Sequence, residues 1–500
     1  MKNYIALAFG LVCTIASAQN INDVLQYNQQ NLIGTARYQG MSGAFGALGG
    51  DLSALNTNPA GAAVFNNHLF SATLSNYNKS NDANYFGTNR EATRNDLEIN
   101  QIGGVLVFKS NNSDWKKIAI AANYDLVQNF DNNFSISGVS NQGIDQYFLS
   151  YANGVPFGPL LKRDGEYLEE AYLDIGRNLG FVDQQAFLGY YGGIIDPVDE
   201  ANDNNIDYVS NATYNTVNQD YFENTTGYNS KFILDFATQY QDNLYLGASL
   251  NFHSINYDKY TEFTETGYTV GTDITRTTFD NYLHTEGNGF SFALGAIAKL
   301  NDMVRVGASY ESPTWYRLTD DTSQRISSDL ADDDINYINF DIINVYERYT
   351  IKTPSKVTGS LAVVFGKDGL LSLDYGFQDM SQAEIKPTND PGFAAANDEI
   401  SNELGTVSTV RLGGEYRIKD ISLRAGYRYE QSPYEDEYTI GDLNGFSLGF
   451  GYSFGPNRLD IAYNRTEQDV NKQLFNAGLT TPALVNVANT NVTIGYTVNF

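Results

Sequence analysis

The residues able to do covalent chemistry are few, and their spacing does not serve it. Gly445-Phe446-Ser447-Leu448-Gly449 has the spacing of a nucleophile elbow. That motif works in a strand–turn–helix context. Here it lies inside an alternating segment with Phe446, Leu448 and Phe450 on one face. A serine nucleophile also needs a base within reach, and the only histidines are His68, His253 and His284. His253 and Ser254 are neighbours in sequence, so on a strand they point to opposite faces. No H-E-x-x-H spacing occurs. The acidic run from Asp199 to Asp207 and the triplet Asp332-Asp333-Asp334 could offer oxygen to calcium, but neither carries the glycine of an EF-hand loop. Solvated loop is the simpler reading of both. These patterns argue against an enzyme, and neither a cofactor nor a metal is expected.

The N-terminus reads as an export signal. Lys2 gives a positive start, Ile5 to Ile15 an apolar stretch too short to span a bilayer, and Ala16-Ser17-Ala18 a small-residue cleavage site. Residues 1–18 are thus expected to be removed. Cys13, the only cysteine, falls within them, and Val12 stands where a lipidation signal needs a small residue. No later stretch approaches the roughly 18 apolar residues of a membrane helix. The formal net charge is −28, which repels nucleic acid and excludes it as a partner.

The elements that carry these residues are strands. Val492, Ile494, Tyr496, Val498 and Phe500 share one face, and Asn491, Thr493, Gly495, Thr497 and Asn499 the other. This period of two is the strand signal. It recurs at 67–77, 98–109, 115–128, 229–241, 243–257, 288–300, 303–314, 350–366, 369–380, 406–418, 420–431, 443–454, 457–466 and 490–500. Connections alternate in length. Long ones cover 78–97, 129–228, 258–287, 315–349, 381–405, 432–442 and 467–489. Short ones centre on turn residues such as Asn111-Asn112-Ser113-Asp114, Asn301-Asp302, Lys367-Asp368-Gly369 and Gly455-Pro456-Asn457. Short periplasmic turns and long external loops are the habit of outer-membrane barrels. The predicted fold is therefore an all-β transmembrane antiparallel barrel of about 14 strands over 67–500, in the outer membrane of a Gram-negative bacterium. Terminal Phe500 resembles the recognition signal for barrel-assembly machinery. The barrel is expected to be monomeric and surrounded by outer-membrane lipids.

Asp235, Arg305, Asp374, Arg411, Glu415, Arg417, Arg424, Arg428, Glu430 and Asp460 lie on the polar faces of these strands. On the lipid face each would cost about 2–4 kcal/mol at mid-depth, so they must face the lumen, where ion pairs can close the barrel. Two regions break the alternation. Within 129–228, Asp164 can cap a helix through Leu179, with Leu168, Tyr172, Ile175 and Leu179 on one face and Gly180 as its stop. A second short helix fits Asp183 to Tyr191, before Gly192-Gly193. The four apolar residues read either as a ligand-docking groove or as the loop's own small core. Residues 34–63, GTARYQGMSGAFGALGGDLSALNTNPAGAA, are glycine-rich and carry no strand pattern. A segment with so little side-chain bulk can pack as a plug in a narrow lumen, and Pro59 biases Asn58 away from helix.

That glycine-rich run resembles the FadL-type outer-membrane transporters, channels for long-chain fatty acids, toluene and related hydrophobic compounds. The resemblance rests on Asp51-Leu52-Ser53-Ala54, on Asn58-Pro59-Ala60-Gly61, on VRLGGEYRIKDISLRAGYRYEQSPY at 410–434 and on the C-terminal strand. The middle of the chain, including 129–228, does not line up in detail. The resemblance implies a hatch over 19–66 inside the barrel, with Asp51, Asn58, Pro59, Ala60 and Gly61 in it. It also implies passive uptake of a hydrophobic small molecule, caught by external loops and released by hatch movement, including laterally into the membrane. A non-transporting barrel with an adhesive or structural role is the alternative.

Overall fold

The computed structural model describes residues 20–29, 31–332, 335 and 343–500. The expected signal at 1–18 and Asp333-Asp334 lie outside them. Fourteen antiparallel strands close into one barrel. They are β1 (Leu69–Tyr85), β2 (Thr88–Lys109), β3 (Trp115–Asn129, continuing as Asn132–Ser140), β4 (Val217–Tyr240), β5 (Leu244–Thr266), β6 (Arg276–Lys299) and β7 (Val304–Glu311, continuing as Trp315–Ser328). Then come β8 (Tyr349–Lys352 and Lys356–Phe365), β9 (Gly369–Asp379, continuing as Glu384–Lys386), β10 (Thr406–Ile418), β11 (Ile421–Glu430), β12 (Leu443–Phe454), β13 (Asn457–Lys472) and β14 (Ala483–Asn499). The barrel closes where β1 pairs with β14, from Leu69↔Asn499 to Asn84↔Leu484.

The turns at one rim are as short as expected, and Gln241, Gly366, Lys419 and Gly455 take the left-handed backbone conformation that tight reversals use. At the other rim the strands outrun the expectation. Residues 78–97 are a continuous hairpin of β1 and β2, turning only at Phe86-Gly87, and most of 258–287 belongs to β5 and β6. Above the bilayer a strand needs no apolar face. Its alternation therefore fades while its ladder continues, which is why these stretches read as loops.

Within the membrane the sidedness is sharp. Phe446, Leu448, Phe450 and Tyr452 on β12 are exposed, while Ser447 between them is buried. Asp235, Asp374, Glu415, Arg424, Arg428 and Asp460 are buried inside. No helix among the described residues is long and apolar enough to cross a membrane.

The N-terminal chain fills the lumen in short capped pieces. The helix α1 (Ile21–Asn28) starts at Asn20, whose side chain accepts from Asn22 N at 2.8 Å. The single turn α2 (Ala36–Gln39) is capped by Thr35, a 3-10 turn at Leu52–Asn56 by Asp51, and another at Pro59–Val64 by Asn58. Proline at the first position of the last turn costs nothing, since its missing N–H has no helical partner there. Outside, α3 (Asp145–Ala152), α4 (Leu168–Asn178) and α5 (Phe181–Tyr191) form an apolar cluster over the strand ends, and α6 (Pro391–Glu403) packs near α1. The helix expected from Asp164 begins only at Leu168, after Tyr167. That expected from Asp183 begins at Phe181 and ends at Gly192 as foreseen.

Candidate ligand pathway

Several spaces lie along the barrel axis or its wall, and four of them bear on passage. The outermost, about 340 Å³, is lined by aromatic residues of the external helices and strand ends, among them Tyr147, Phe181, Tyr221, Phe279, Tyr282 and Phe475. Asn20, Asn22 and Asp23, the start of α1, form part of its lining. The Asp23 carboxylate accepts from Asn20 N at 2.8 Å. Burial pushes this carboxyl up to about 7, the Asn20 amide and Lys259 acting against the shift and Asp320 adding to it. Below its capped end, α1 sits among Tyr257, Tyr316, Tyr349 and Met380 from the wall.

Beneath α1 lies an inner cavity of about 60 Å³. Its lining combines Tyr27, Leu32, Leu126 and Tyr316 with the cationic side chains Lys231, Lys356, Arg411 and Arg428 and the acidic side chains Asp125 and Glu311. Beside it the wall is interrupted. β2 pairs with β3 only from Lys109↔Lys117 to Gln101↔Asp125, whereas β3 stays on β4 up to Asn129↔Tyr228. Asn100 sits at a bulge in β2, so Gln101 pairs with Thr73 and Ile99 with Leu74. Higher up, Arg90 Nε donates to Ser137 Oγ at 2.9 Å and Asn81 Nδ2 to Asn132 Oδ1 at 2.7 Å. The unpaired stretch between leaves a narrow window of about 30 Å³. Its lining includes Tyr77, Lys79, Arg94, Asp96, Asn129 and Asp131, together with Leu32 and Arg428 of the inner cavity. Leu97 and Ile99, exposed on the outside of β2, put the window level with apolar surface.

The plug below is seated on notches in the wall. A Cβ at Gly295 would strike Asn58, one at Gly247 the Pro59–Ala60 backbone, one at Gly307 that of Gly46, and one at Gly426 Met41 and Ser42. Into these notches the plug donates and accepts. Asn58 Nδ2 donates to Gly46 O at 2.8 Å within the plug and to Ala296 O at 3.1 Å on β6. Asp374 accepts from Phe45 N at 2.9 Å and Gly46 N at 3.0 Å. Arg37 Nε meets Glu415 at 3.0 Å. Under the plug a vestibule of about 680 Å³ opens at the short-turn rim.

Of the residues singled out from sequence, Asp51, Asn58, Pro59, Ala60 and Gly61 lie together in the plug, all buried. Asp51 accepts from Thr35 Oγ1 at 2.7 Å, tying the cap of α2 to the cap of the turn at Leu52–Asn56. Leu168, Tyr172 and Ile175 are also buried, Tyr172 donating to Gln324 Oε1 at 3.0 Å, while Leu179 is 47% exposed. Three of these four side chains therefore pack as the loop's own core. Ser447 of the G-x-S-x-G match holds the plug, its Oγ accepting from Ser42 N at 3.0 Å. His253 does find a serine, Ser291 at 3.3 Å on the next strand, but Ser291 is fully buried. No group of three or more metal-ligating side chains comes together among the described residues.

Sequence reasoning passed over α1, although Asn20 and Asp23 have the spacing of a capping box. It also passed over the basic inner cavity, which is assembled from strands far apart in the chain.

Comparison with known proteins agrees with this architecture. No curated protein matches the chain in sequence. A solved structure of a Pseudomonas aeruginosa FadL homologue superposes with a TM-score of 0.55 at 13% identity, covering 94% of this chain and 99% of that one. The monoaromatic hydrocarbon channel TodX, as its deltaS2 mutant, superposes with a TM-score of 0.50 at 12% identity over 93% of this chain and 99% of that one. At such identities the likeness concerns the fold. Residues 11–500 match the family of outer membrane protein transport proteins (OMPP1/FadL/TodX), and the chain belongs to that family of outer-membrane channels for hydrophobic compounds.

Proposed function

We propose that this channel takes up long-chain fatty acids or similar amphiphiles with an anionic head, and releases them sideways through the window between β2 and β3. The observation that carries the reading is the loss of the β2–β3 ladder beside the inner cavity, at the level of Leu97 and Ile99. A ligand would be caught in the aromatic outer pocket, pass α1, and enter the membrane without crossing the plug. At about 60 Å³ the inner cavity is far below the roughly 300–1,000 Å³ of ligand pockets. Passage therefore needs α1 or the plug to move, which gives the segment 19–66 its hatch role and Asn58, Pro59, Ala60, Gly61 and Asp51 their part in gating. The cationic groups around the cavity outnumber its carboxylates, Asp125 and Glu311, and this excess favours an acid over a neutral hydrocarbon, because a carboxylate brought out of water needs charge-assisted partners. Closure of β1 on β14 in one chain fits a monomer. C-terminal Phe500 fits a signal to the assembly machinery.

The test is transport by the reconstituted protein. Cysteines replacing Asp96 and Asp131, which line the window from its two sides, joined by a bifunctional maleimide, should bridge the window and cut fatty-acid uptake, with recovery when a reducible linker is cleaved. Undiminished uptake in the bridged protein would sink the lateral route. Uptake of toluene in preference to fatty acid would sink the substrate class.

A further inference from the structure

At the floor of the barrel, beneath the plug, four guanidinium groups crowd two carboxylates. Glu415 receives Arg37 Nε at 3.0 Å and Arg424 Nε at 2.6 Å, with Arg458 at 3.6 Å, and also pairs with Arg417. Asp460 receives Arg424 at 2.9 Å and Arg458 Nε at 2.9 Å. Asp51, Asp460, Lys419 and Arg305 line the same vestibule, an amino group of Arg305 donating to Leu48 O at 3.3 Å. The cluster is thus short of negative charge, in a chain whose formal net charge is −28.

Its hydrogen bonding is incomplete as well. The Arg424 side chain is fully buried, and its Nη2 has no hydrogen-bond acceptor; the Nη2 of Arg458 is buried and has none either. Both lie beside Gly451, where a Cβ would stand 2.7 Å from the first and 3.0 Å from the second, with Asp460 Oδ1 nearer still. Buried donors left without acceptors are costly, and guanidinium groups are suited to planar oxyanions. Arg37, Arg417 and Arg458 border the vestibule of about 680 Å³, so an anion from the periplasm has a path to them.

We propose that the vestibule holds an oxyanion site, formed by Arg37, Arg417 and Arg458 with the buried Arg424 behind them, whose occupancy loosens the plug. The ligand is a carboxylate or a phosphate group. The coupling rests on the hatch reading above and follows from Arg37. Its bond to Glu415 is the one ion pair between plug and wall among the described residues. An oxyanion that accepts from Arg458 and Arg37 competes with Glu415 for the latter and weakens that tie.

Calorimetry on the full-length detergent-solubilised protein, with inorganic phosphate added at constant ionic strength, should give saturable binding. Arg458→Gln should weaken it by about tenfold, the loss of one charge-assisted contact. Arg458→Lys keeps the charge and guards against misfolding, and should bind at an intermediate level. Absent binding, or binding equal in Arg458→Gln and wild type, overturns the site. In planar bilayers, phosphate on the periplasmic face alone should raise the frequency of channel openings, and chloride at matched ionic strength should not. Gly295→Val, which forces Asn58 off its seat, serves as the positive control. If it opens the channel while bound phosphate does not, the coupling fails and the hatch reading stands. If neither opens it, the hatch reading itself fails. Octanoate, and leaflets of phosphatidylglycerol against phosphatidylcholine, separate the sources. A response to octanoate assigns the site to the transported acid, and a response to phosphatidylglycerol assigns it to a lipid headgroup.

Discussion

Asn58 shows how a single side chain can fasten one segment of the chain to another. Its Oδ1 caps the turn at Pro59–Val64, accepting from Ala60 N at 3.0 Å, while its Nδ2 spans from the plug to β6. Asn58→Ala removes both, leaving buried carbonyl groups short of a donor at a cost of about 1–3 kcal/mol. Because the barrel ladder is untouched, the loss should fall on plug seating. We expect Asn58→Ala and Gly295→Val to raise small-solute leak through reconstituted barrels. Gly359→Ala, where a Cβ meets nothing within 4 Å, should leave conductance at wild-type level. Equal conductance in all three would rule out the seat as a determinant of closure. The plug's composition was legible in the sequence as glycines around Asn-Pro-Ala. Its sockets were not, since Gly295 and Gly307 looked like any small residues on a strand and their partners lie hundreds of positions away.

At the scale of elements, α4 and α1 call for opposite treatments. The buried Tyr172 and Ile175 hold α4 in the external cluster with Phe187 and Ile326. Replacing both by Asn would leave polar groups and voids where apolar contacts of about 2–5 kcal/mol had been. The loop should then become sensitive to protease while the barrel keeps its heat-modifiable migration in gels. A loop as resistant as wild type would mean that these side chains do not organise it. The helix was readable from the i, i+3 and i, i+4 spacings of Leu168, Tyr172, Ile175 and Leu179, but whether it faced ligand or its own core was not, because the covering strands come from elsewhere in the chain. For α1 the relevant variable is pH. The Asp23 carboxyl titrates near 7 when docked and near 4 in water. Docked α1 therefore binds more protons than undocked α1 between those values. Docking is strongest below about 4, weakens as pH rises towards 7 and is constant above it. Asp320, Lys259, Tyr27 and Tyr349 surround the group. A fluorophore on α1 should report more undocking at pH 8 than at pH 5, and Asp23→Asn should abolish the difference. A pH response retained in that variant would assign it to another group.

Across the whole molecule the charge is sorted by place. Acidic runs such as Asp199 to Asp207 lie on an external loop, while arginine and lysine outnumber the carboxylates that line the inner cavity and the vestibule. The sequence made the barrel legible because a bilayer imposes period two wherever a strand crosses it. It could not show where the cations of different strands meet. That meeting point makes selectivity testable. Lys231 on β4 and Arg411 on β10 both line the inner cavity, and Arg411 also donates to Tyr38 Oη at 3.4 Å, touching the plug. Each would supply a charge-assisted contact to a carboxylate, and losing one should lower affinity for an acid by about tenfold. A neutral aromatic ligand needs neither. Lys231→Met and Arg411→Gln should therefore slow uptake of a long-chain fatty acid while leaving its methyl ester and toluene unaffected. Equal slowing of all three would mean that these residues shape the cavity and do not recognise charge. Unchanged uptake of the acid would move head-group recognition out of the inner cavity, to the polar lining of the window at Lys79 and Arg94.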